Sequence, residues 1–541
     1  MCGIFGFLGD GGNDQVLIKS FEKIKHRGPD NTETLHIDNV FLGFHRLSIM
    51  GLDTISNQPM SIGKRPSGSP TGTTSDNLGN AILCCNGEIY NYKELAQEHG
   101  FKLETHSDCE IIIHLYQKFG IEKTCQMLDG EFSFILYDME KKELFVARDL
   151  LGLRGLFYGK THNGWGFASE AKSLTFCLEV QAFMPRTWWS SKTQQFTKYY
   201  EFKPNPVARS IEEYCQLIRE AFTRSVRKRV MMSDRSVGFL LSGGLDSSLC
   251  VALGVKCFEN PKDVHTFSIG LKGSLDLKYA KIVADFLGTT HHSIELEEEE
   301  FLKEIPETIR VIESYDVTTV RASNAHRLIA KYVKEHTNIK VLISGEVSDE
   351  LTCGYMAFGA ISDPDELLAE SIRMLIDIHL YDTLRADRAI CCNGLEGRYP
   401  FAAKEFIQVY LDILPQFKSF YNKCRIEKYL LRQAFADQGL LPNEILWRRK
   451  DGFSDGISGT HRSTRVVLGE FINAQISNED YERERAEYEY LCPQTKEQLY
   501  YRTIFDMYYP GRDTLIPGMW LPNPKYYGNI TEPSGRILST F

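Results

Sequence analysis

The densest chemistry in the chain lies in Leu240-Leu241-Ser242-Gly243-Gly244-Leu245-Asp246-Ser247-Ser248. Two glycines let bare N–H groups approach an anion, and a helix starting behind them adds positive potential. Asp246 cannot bind a phosphate directly, so it calls for a Mg²⁺ that does. No lysine follows as in a Walker A loop, so this is another kind of nucleotide loop. A plain strand-to-helix turn would need only one serine as N-cap. A second loop, Ser344-Gly345-Glu346-Val347-Ser348-Asp349-Glu350, is acidic. Carboxylates beside phosphates need a cation between them or an acid/base task. Asp349 is therefore a second Mg²⁺ ligand, and Glu346 a candidate for condensation chemistry. Leu241 and Ile269 are expected to line an adenine.

The other chemical group stands at the front. Cys2 follows Met1. If Met1 is removed, Cys2 carries a thiol and a free α-amine, which titrates near ~8 and serves as a base beside the nucleophile. Read alone, Cys2 is equally a buried strand cysteine.

These groups need elements to hold them. Residues 236–241 are apolar enough for a buried parallel strand, with a helix over 249–253. Residues 211–229 form an amphipathic helix. Strands at 264–269, 291–294 and 339–343 alternate with helices at 277–287 and 322–335, which predicts a parallel sheet with helices on both faces. Nucleotides sit at the C-terminal edge of such sheets. In the first third, 44–50 and 81–85 read as strands and 86–91 as a turn. Residues 105–110 cap a helix over 111–119, and a strand starts at 129–134. His291-His292 lacks other ligands at metal spacing. Residues 295–300 read as a solvated helix start, and 61–80 as a mobile surface insertion.

The chain has 541 residues, enough for two domains, with a net charge of 62 − 72 = −10. That balance argues against a nucleic-acid partner. The 14 cysteines include no Cys-x-x-Cys and fit a reducing cytoplasm. No signal peptide or membrane-length apolar run is visible. The linker is placed near Lys203-Pro204-Asn205-Pro206, giving domains 1–205 and 206–541.

Several front segments form an ordered set: Lys25-His26-Arg27-Gly28-Pro29-Asp30, Phe44-His45-Arg46-Leu47-Ser48-Ile49-Met50, Asn86-Gly87-Glu88-Ile89-Tyr90-Asn91, Thr105-His106-Ser107-Asp108 and Asp129-Gly130-Glu131. With Cys2 they resemble the class II glutamine amidotransferase domain. The resemblance implies an α+β N-terminal-nucleophile hydrolase, an αββα sandwich. It implies that Cys2 attacks the glutamine amide and that Asn86 and Gly87 form the oxyanion hole. Arg46 to Met50 (Arg46, Leu47, Ser48, Ile49, Met50), Asn86, Gly87, Glu88 and Asp108 would bind glutamine, with Arg46 on its carboxylate and the two acids on its ammonium. Arg148 to Gly155 departs at Gly155, where the family has proline.

The loop at 242–248 resembles that of ATP-pyrophosphatase-type ligases, which implies an α/β domain with a parallel sheet binding ATP through Leu241, Ser242, Gly243, Gly244, Asp246, Ser247, Ser248, Ile269, Ser344, Gly345 and Lys450. Asp316-Val317-Thr318-Thr319-Val320-Arg321-Ala322-Ser323 resembles the aspartate-binding stretch of the asparagine synthetase family, implying Thr318, Thr319 and Arg321 as aspartate ligands. Gly273 to Leu277, Gly394 to Arg398, Trp447 to Gly456 and Pro533 to Arg536 resemble it too. Departures are Val347 for the usual Gly, Leu351-Thr352-Cys353, and Ala402-Ala403. A valine needing φ > 0 would be strained. The resemblance implies glutamine, aspartate and ATP as substrates, Mg²⁺ as cofactor, and a homodimer by analogy. It also implies ammonia passing inside the protein and being consumed by β-aspartyl-AMP. A different amide-forming amidotransferase on this scaffold and a catalytically impaired relative are the rival readings.

Overall fold

The computed structural model describes residues 1–10, 13–62, 80–421, 425–450, 452, 456–459 and 462–533. The insertion expected at 61–80 therefore lies mostly outside the described residues, as do 451, 453–455 and 534–536 of the motifs above. Two compact units form. The first holds Met1–Glu201, Met232–Arg235 and Cys391–Glu396; the second holds Phe202–Met231, Ser236–Ile390 and Gly397–Phe541.

The first unit is built on strands β1 (Gly3–Gly9), β2 (Asn31–Ile37), β3 (Val40–Arg46), β4 (Ala81–Ile89), β5 (Gly130–Asp138), β6 (Glu143–Arg148), β7 (Phe157–Lys160), β8 (Gly164–Ala168), β9 (Glu179–Ala182), β10 (Thr187–Ser190) and β11 (Phe196–Lys198). They form two sheets, β2-β3-β1-β8-β7-β9 and β11-β10-β6-β5-β4. Strand alternation decides the layers. Ile4, Leu42, Phe44, Phe167 and Trp165 of one sheet meet Ile82, Cys84, Ile135, Val146 and Trp189 of the other in a buried inter-sheet core. The opposite faces bury against helices. Leu83, Cys85, Phe132, Phe134 and Leu136 pack on the helix Ile111–Met127 and its neighbours. Phe5 packs on Phe21 of the helix Asp14–Glu22. This is the expected αββα sandwich.

Local expectations differ in three places. The strand expected over 44–50 is Val40–Arg46, ending before the site residues that follow. Asn86 to Ile89 continue β4 instead of turning, because their partners Ser133 to Gly130 extend the ladder. The helix expected over 111–119 runs Ile111–Met127 with a kink at Gly120, and it is preceded by a 3₁₀ turn that Ser107 caps.

In the second unit, β12 (Val237–Leu240), β13 (His265–Leu271), β14 (Thr290–Leu296), β15 (Val341–Ile343) and β16 (Glu396–Arg398) give the order β14-β13-β12-β15-β16. The pairs β12–β13, β12–β15 and β13–β14 are parallel. Apolar strand faces such as Phe239, Phe267, Leu342 and Ile343 are fully buried, as a sheet covered on both sides requires. Helices Leu245–Val255, Leu275–Leu287 and Val317–His336 connect the strands. The acidic start at 295–300 is a capping box, Glu297 with Glu300, on the helix Glu298–Lys303. Among the described residues no helix is long and apolar enough to cross a membrane.

Candidate active sites

In the first unit the pairing Gly3↔His45 carries the chain after β3 past Cys2. The Leu47 N–H donates to Cys2 Sγ at 3.4 Å, and the thiol points back to Leu47 O at 3.6 Å. Arg27, buried, donates through Nε to the Cys2 carbonyl at 2.9 Å and pairs with Glu170 at 2.8 Å. Burial pushes the Cys2 thiol up to about 11. It is therefore protonated near neutrality and needs a base to become a nucleophile. The amine of Met1 donates to Leu395 O at 3.1 Å.

Strand β4 supplies the donors. It is an edge strand, so alternate N–H groups point out of the sheet. Those of Leu83, Cys85 and Ile89 find Met60 O, Gln58 Oε1 and Asp108 Oδ2 at 2.8, 2.6 and 2.6 Å. The Gly87 N–H has no partner among the described residues. A Cβ on Gly87 would come within 2.3 Å of Glu131 O, so only glycine fits there. The Asn86 side chain lies on the inter-sheet face with Ile82 and Cys84, against which Cys2 also packs. It is fully buried, and neither its Nδ2 nor its Oδ1 has a partner. Two adjacent donors left without partners are what a developing oxyanion needs.

Arg46 is buried, and its guanidinium donates to Asp53 O (2.7 Å), Asn57 Oδ1 (2.6 Å), Met50 O (3.3 Å) and Gly51 O. It holds the 46–51 segment in place. Asp30 anchors the Ser48 N–H at 2.8 Å. Ile49 is buried in that same segment and Met50 is partly buried. Glu88 and Asp108 are both buried, and both press on the Tyr92 hydroxyl, which burial and these charges push up to about 12. Arg27, Glu170 and Asp30 were given no role from sequence. The Arg27-to-Asp30 motif pointed to two of them; Glu170 carried no signal.

In the second unit the two loops predicted from sequence meet at the ends of β12 and β15. The helix after the first loop has Gly244 as N-cap with no side-chain cap, correcting the alternative of a capping serine. Ser242 and Ser247 instead bond each other across the turn at 3.1 Å. Gly243 sits at φ +71 with Tyr279 and Ala280 backbone 2.5 Å from where a Cβ would stand. Ser348 Oγ donates to Asp246 Oδ1 at 2.7 Å, tying the loops together. Lys428 Nζ lies 2.5 Å from Asp246 Oδ2 and 2.6 Å from Asp349 Oδ1, and Lys450 Nζ is 2.6 Å from Asp349 Oδ2. Burial works against an ionised Asp349, but the two ammonium groups prevail and hold it at about 2.

Around these groups opens a cavity of about 420 Å³. Of the predicted ATP and aspartate residues, Leu241, Ser242, Gly244, Asp246, Ser247, Ile269, Thr318, Arg321, Ser344, Gly345 and Lys450 line it, as do the predicted catalytic Glu346 and metal ligand Asp349; Gly243, Ser248 and Thr319 do not. Gly243 shapes the turn, Ser248 is fully buried behind it, and Thr319 Oγ1 donates to the helix cap Asp316 at 2.8 Å. Arg321 lines the cavity while pairing with Glu497 (2.6 Å) and Glu532 (2.8 Å). Glu346 is gripped by Arg385 at 2.8 and 3.2 Å, with Asp382 on the same guanidinium at 2.7 Å and His326 Nδ1 at 3.1 Å. Burial pushes the Glu346 carboxyl up, against the pull of Arg385. Lys428, Arg385, Asp382 and His326 were not found from sequence, since they come from distant elements.

Val347 takes φ 76 while only 1% exposed, so the strain expected of a valine there is present. His291 is held within the sheet. Its nitrogens bond Thr266 (2.9 Å) and Ser268 (3.1 Å) on β13. Among the described residues no group of three or more His, Cys, Asp and Glu could hold a metal. Asp246 and Asp349, facing one cation, are a hard-oxygen pair of the sort Mg²⁺ shares with phosphate oxygens, so the residues fit that ion.

The two units together define a glutamine amidotransferase joined to an ATP-handling synthetase. The glutamine amidotransferase domain family matches residues 1–229, and the asparagine synthase family matches residues 217–363 and 359–514. Over 575 aligned residues, the chain is 38% identical to the glutamine-hydrolysing asparagine synthetases of Gallus gallus and Rattus norvegicus and 37% to that of Homo sapiens; each alignment covers 100% of this chain and 99% of the relative. The chain belongs to the asparagine synthetase family.

Proposed function

We propose that the chain makes asparagine from aspartate, glutamine and ATP. Membership of the family along the whole chain supports this reading, and the observation that carries it is the meeting of Asp246, Lys428, Asp349 and Lys450 around one cavity with Glu346. Domain 1–205 would hydrolyse glutamine and domain 206–541 would form β-aspartyl-AMP.

At the front, loss of Met1 frees the Cys2 amine to take the thiol proton. The thiolate attacks the glutamine amide, and Asn86 Nδ2 and the Gly87 N–H receive the oxyanion; the protonated amine then gives its proton to the departing ammonia, and water hydrolyses the remaining thioester to glutamate. Arg46 keeps the 46–50 segment positioned for the substrate's carboxylate, and Glu88 and Asp108 take its ammonium. At the back, the loop N–H groups and the Lys428 and Lys450 ammonium groups meet the β,γ-phosphates. Mg²⁺, held by Asp246 and Asp349, would supply further neutralisation of phosphate charge. Thr318, Thr319 and Arg321 serve aspartate, Thr319 indirectly through Asp316. Glu346 is the acid/base group between the adenylate and ammonia. The cysteine usage supports a cytoplasmic enzyme and the net negative charge argues against a nucleic-acid partner; a homodimer rests on the family resemblance.

Mass spectrometry of products from ATP, aspartate and glutamine tests this. Asparagine, glutamate, AMP and pyrophosphate are expected, with Mg²⁺ required for AMP formation. Glutamate formed with no AMP under any carboxylate would sink it.

A further inference from the structure

Two carboxylates take four of the five N–H donors of the Arg321 guanidinium. Glu497 takes Nε at 2.8 Å and Nη2 at 2.6 Å, while Glu532 takes Nη1 at 2.8 Å and Nη2 at 3.2 Å. The two carboxylates are held differently. Glu497 belongs to the first turn of the helix Lys496–Tyr508, with its side chain 12% exposed. Glu532 is 25% exposed and lies on irregular chain beyond the short helix Pro524–Tyr527. That helix is anchored by Tyr527 to Ala357 O (2.7 Å) and by Lys525 to Glu366 (2.7 Å). The same segment contributes Trp520, Pro522 and Pro533 to the cavity wall.

We propose that Glu532 is a tethered stand-in for a substrate carboxylate. It occupies Arg321 when the amino-acid side of the cavity is empty, and aspartate enters by displacing it. The reading of Arg321 as an aspartate ligand underlies this. A carboxylate fixed on the same chain competes at high effective concentration, so it raises the aspartate needed for half-saturation. Arg321 keeps Glu497, so its fork stays oriented while the second position is exchanged. The nucleotide side of the cavity, around Asp246 and Lys450, is untouched by the exchange.

The experiment is steady-state pyrophosphate release by the full chain and by Glu532→Gln and Glu532→Ala, at varied aspartate and at varied ATP. In both variants the KM for aspartate is expected to fall about threefold or more, because the binding-competent fraction rises. The KM for ATP and the rate of glutamine hydrolysis stay unchanged. An aspartate KM that is unchanged or raised overturns the proposal, since Glu532 would then only support the wall. If the wild-type chain released pyrophosphate with another amino acid and none with aspartate, the proposed substrate would fall instead. The same comparison run with that amino acid would still read the role of Glu532.

Discussion

Arg385 holds both carboxylate oxygens of Glu346, at 2.8 and 3.2 Å. The two residues are 39 positions apart and sit on different elements, one in the loop after β15 and the other in the helix Asp382–Cys391. Asp382 and His326 close on the same guanidinium. The group assigned to acid/base work is thus aimed by a cation that does not itself react.

Replacing Arg385 leaves the partly buried Glu346 and the buried Asp382 with no cation between them. Removing one partner of a buried pair costs about 3–5 kcal/mol. Arg385→Ala should lower the unfolding free energy of the second unit by about that amount in denaturant titration. Arg385→Lys restores charge without the fork. It is expected to recover most of the stability while pyrophosphate release stays at least about tenfold down. Equal recovery of both would mean that the fork is not needed.

Cys2→Ala should abolish asparagine formation from glutamine and leave formation from ammonium salt intact. The measurement is asparagine yield with each nitrogen source. Retained formation from glutamine would place the nucleophile elsewhere, and loss of both would show that the substitution damages the fold.

Asn86→Ala removes a buried amide that has no hydrogen-bond partner in the empty protein. Deleting an unpaired polar group costs little stability, whereas losing an oxyanion donor costs about 10²–10³ in rate. Glutamine hydrolysis should fall by that factor with the thermal midpoint nearly unchanged. A large drop in the midpoint would assign Asn86 to the core.

Val347→Gly relieves a left-handed backbone, worth about 1–3 kcal/mol. It also gives up burial of a valine, about 1.5–3 kcal/mol. These terms oppose, so stability should change by less than about 1 kcal/mol, with pyrophosphate release retained. A loss above about 3 kcal/mol would show that the valine side chain, not the loop geometry, dominates.

His291 gives a pH dependence. Burial between β13 and β14 depresses it from 6.5 to about 4. The unfolded chain binds the proton first, so the stability His291 contributes is present above pH 6.5 and lost as pH falls towards 4. His291→Gln, which keeps a polar group between Thr266 and Ser268, should flatten that part of the stability-versus-pH curve. An unaltered slope between pH 6.5 and 4 would show that other groups set it.

Much of this chain was legible before any coordinates. The spacing of Ser242 to Asp246 announced a phosphate loop because glycines, hydroxyls and an acid at a strand end serve few other ends. Alternating strands and helices gave the parallel sheet, since hydrophobic period is a local property. The φ > 0 at Val347 was legible because the family that the chain resembles usually has Gly there. What could not be read is whatever depends on chain segments far apart. That Gly87 keeps a spare N–H follows only from β4 being an edge strand whose other outward donors are taken. That Lys428 spans two aspartates, 182 positions from one of them, depends on how a helix start packs against two loops. That Arg321 is already paired with two carboxylates depends on where Glu497 and Glu532 arrive. Local sequence fixes residue type and backbone preference; charge pairing and leftover donors are properties of the packed whole, because Coulomb and hydrogen-bond energies act over a few ångströms of space and take no account of separation along the chain.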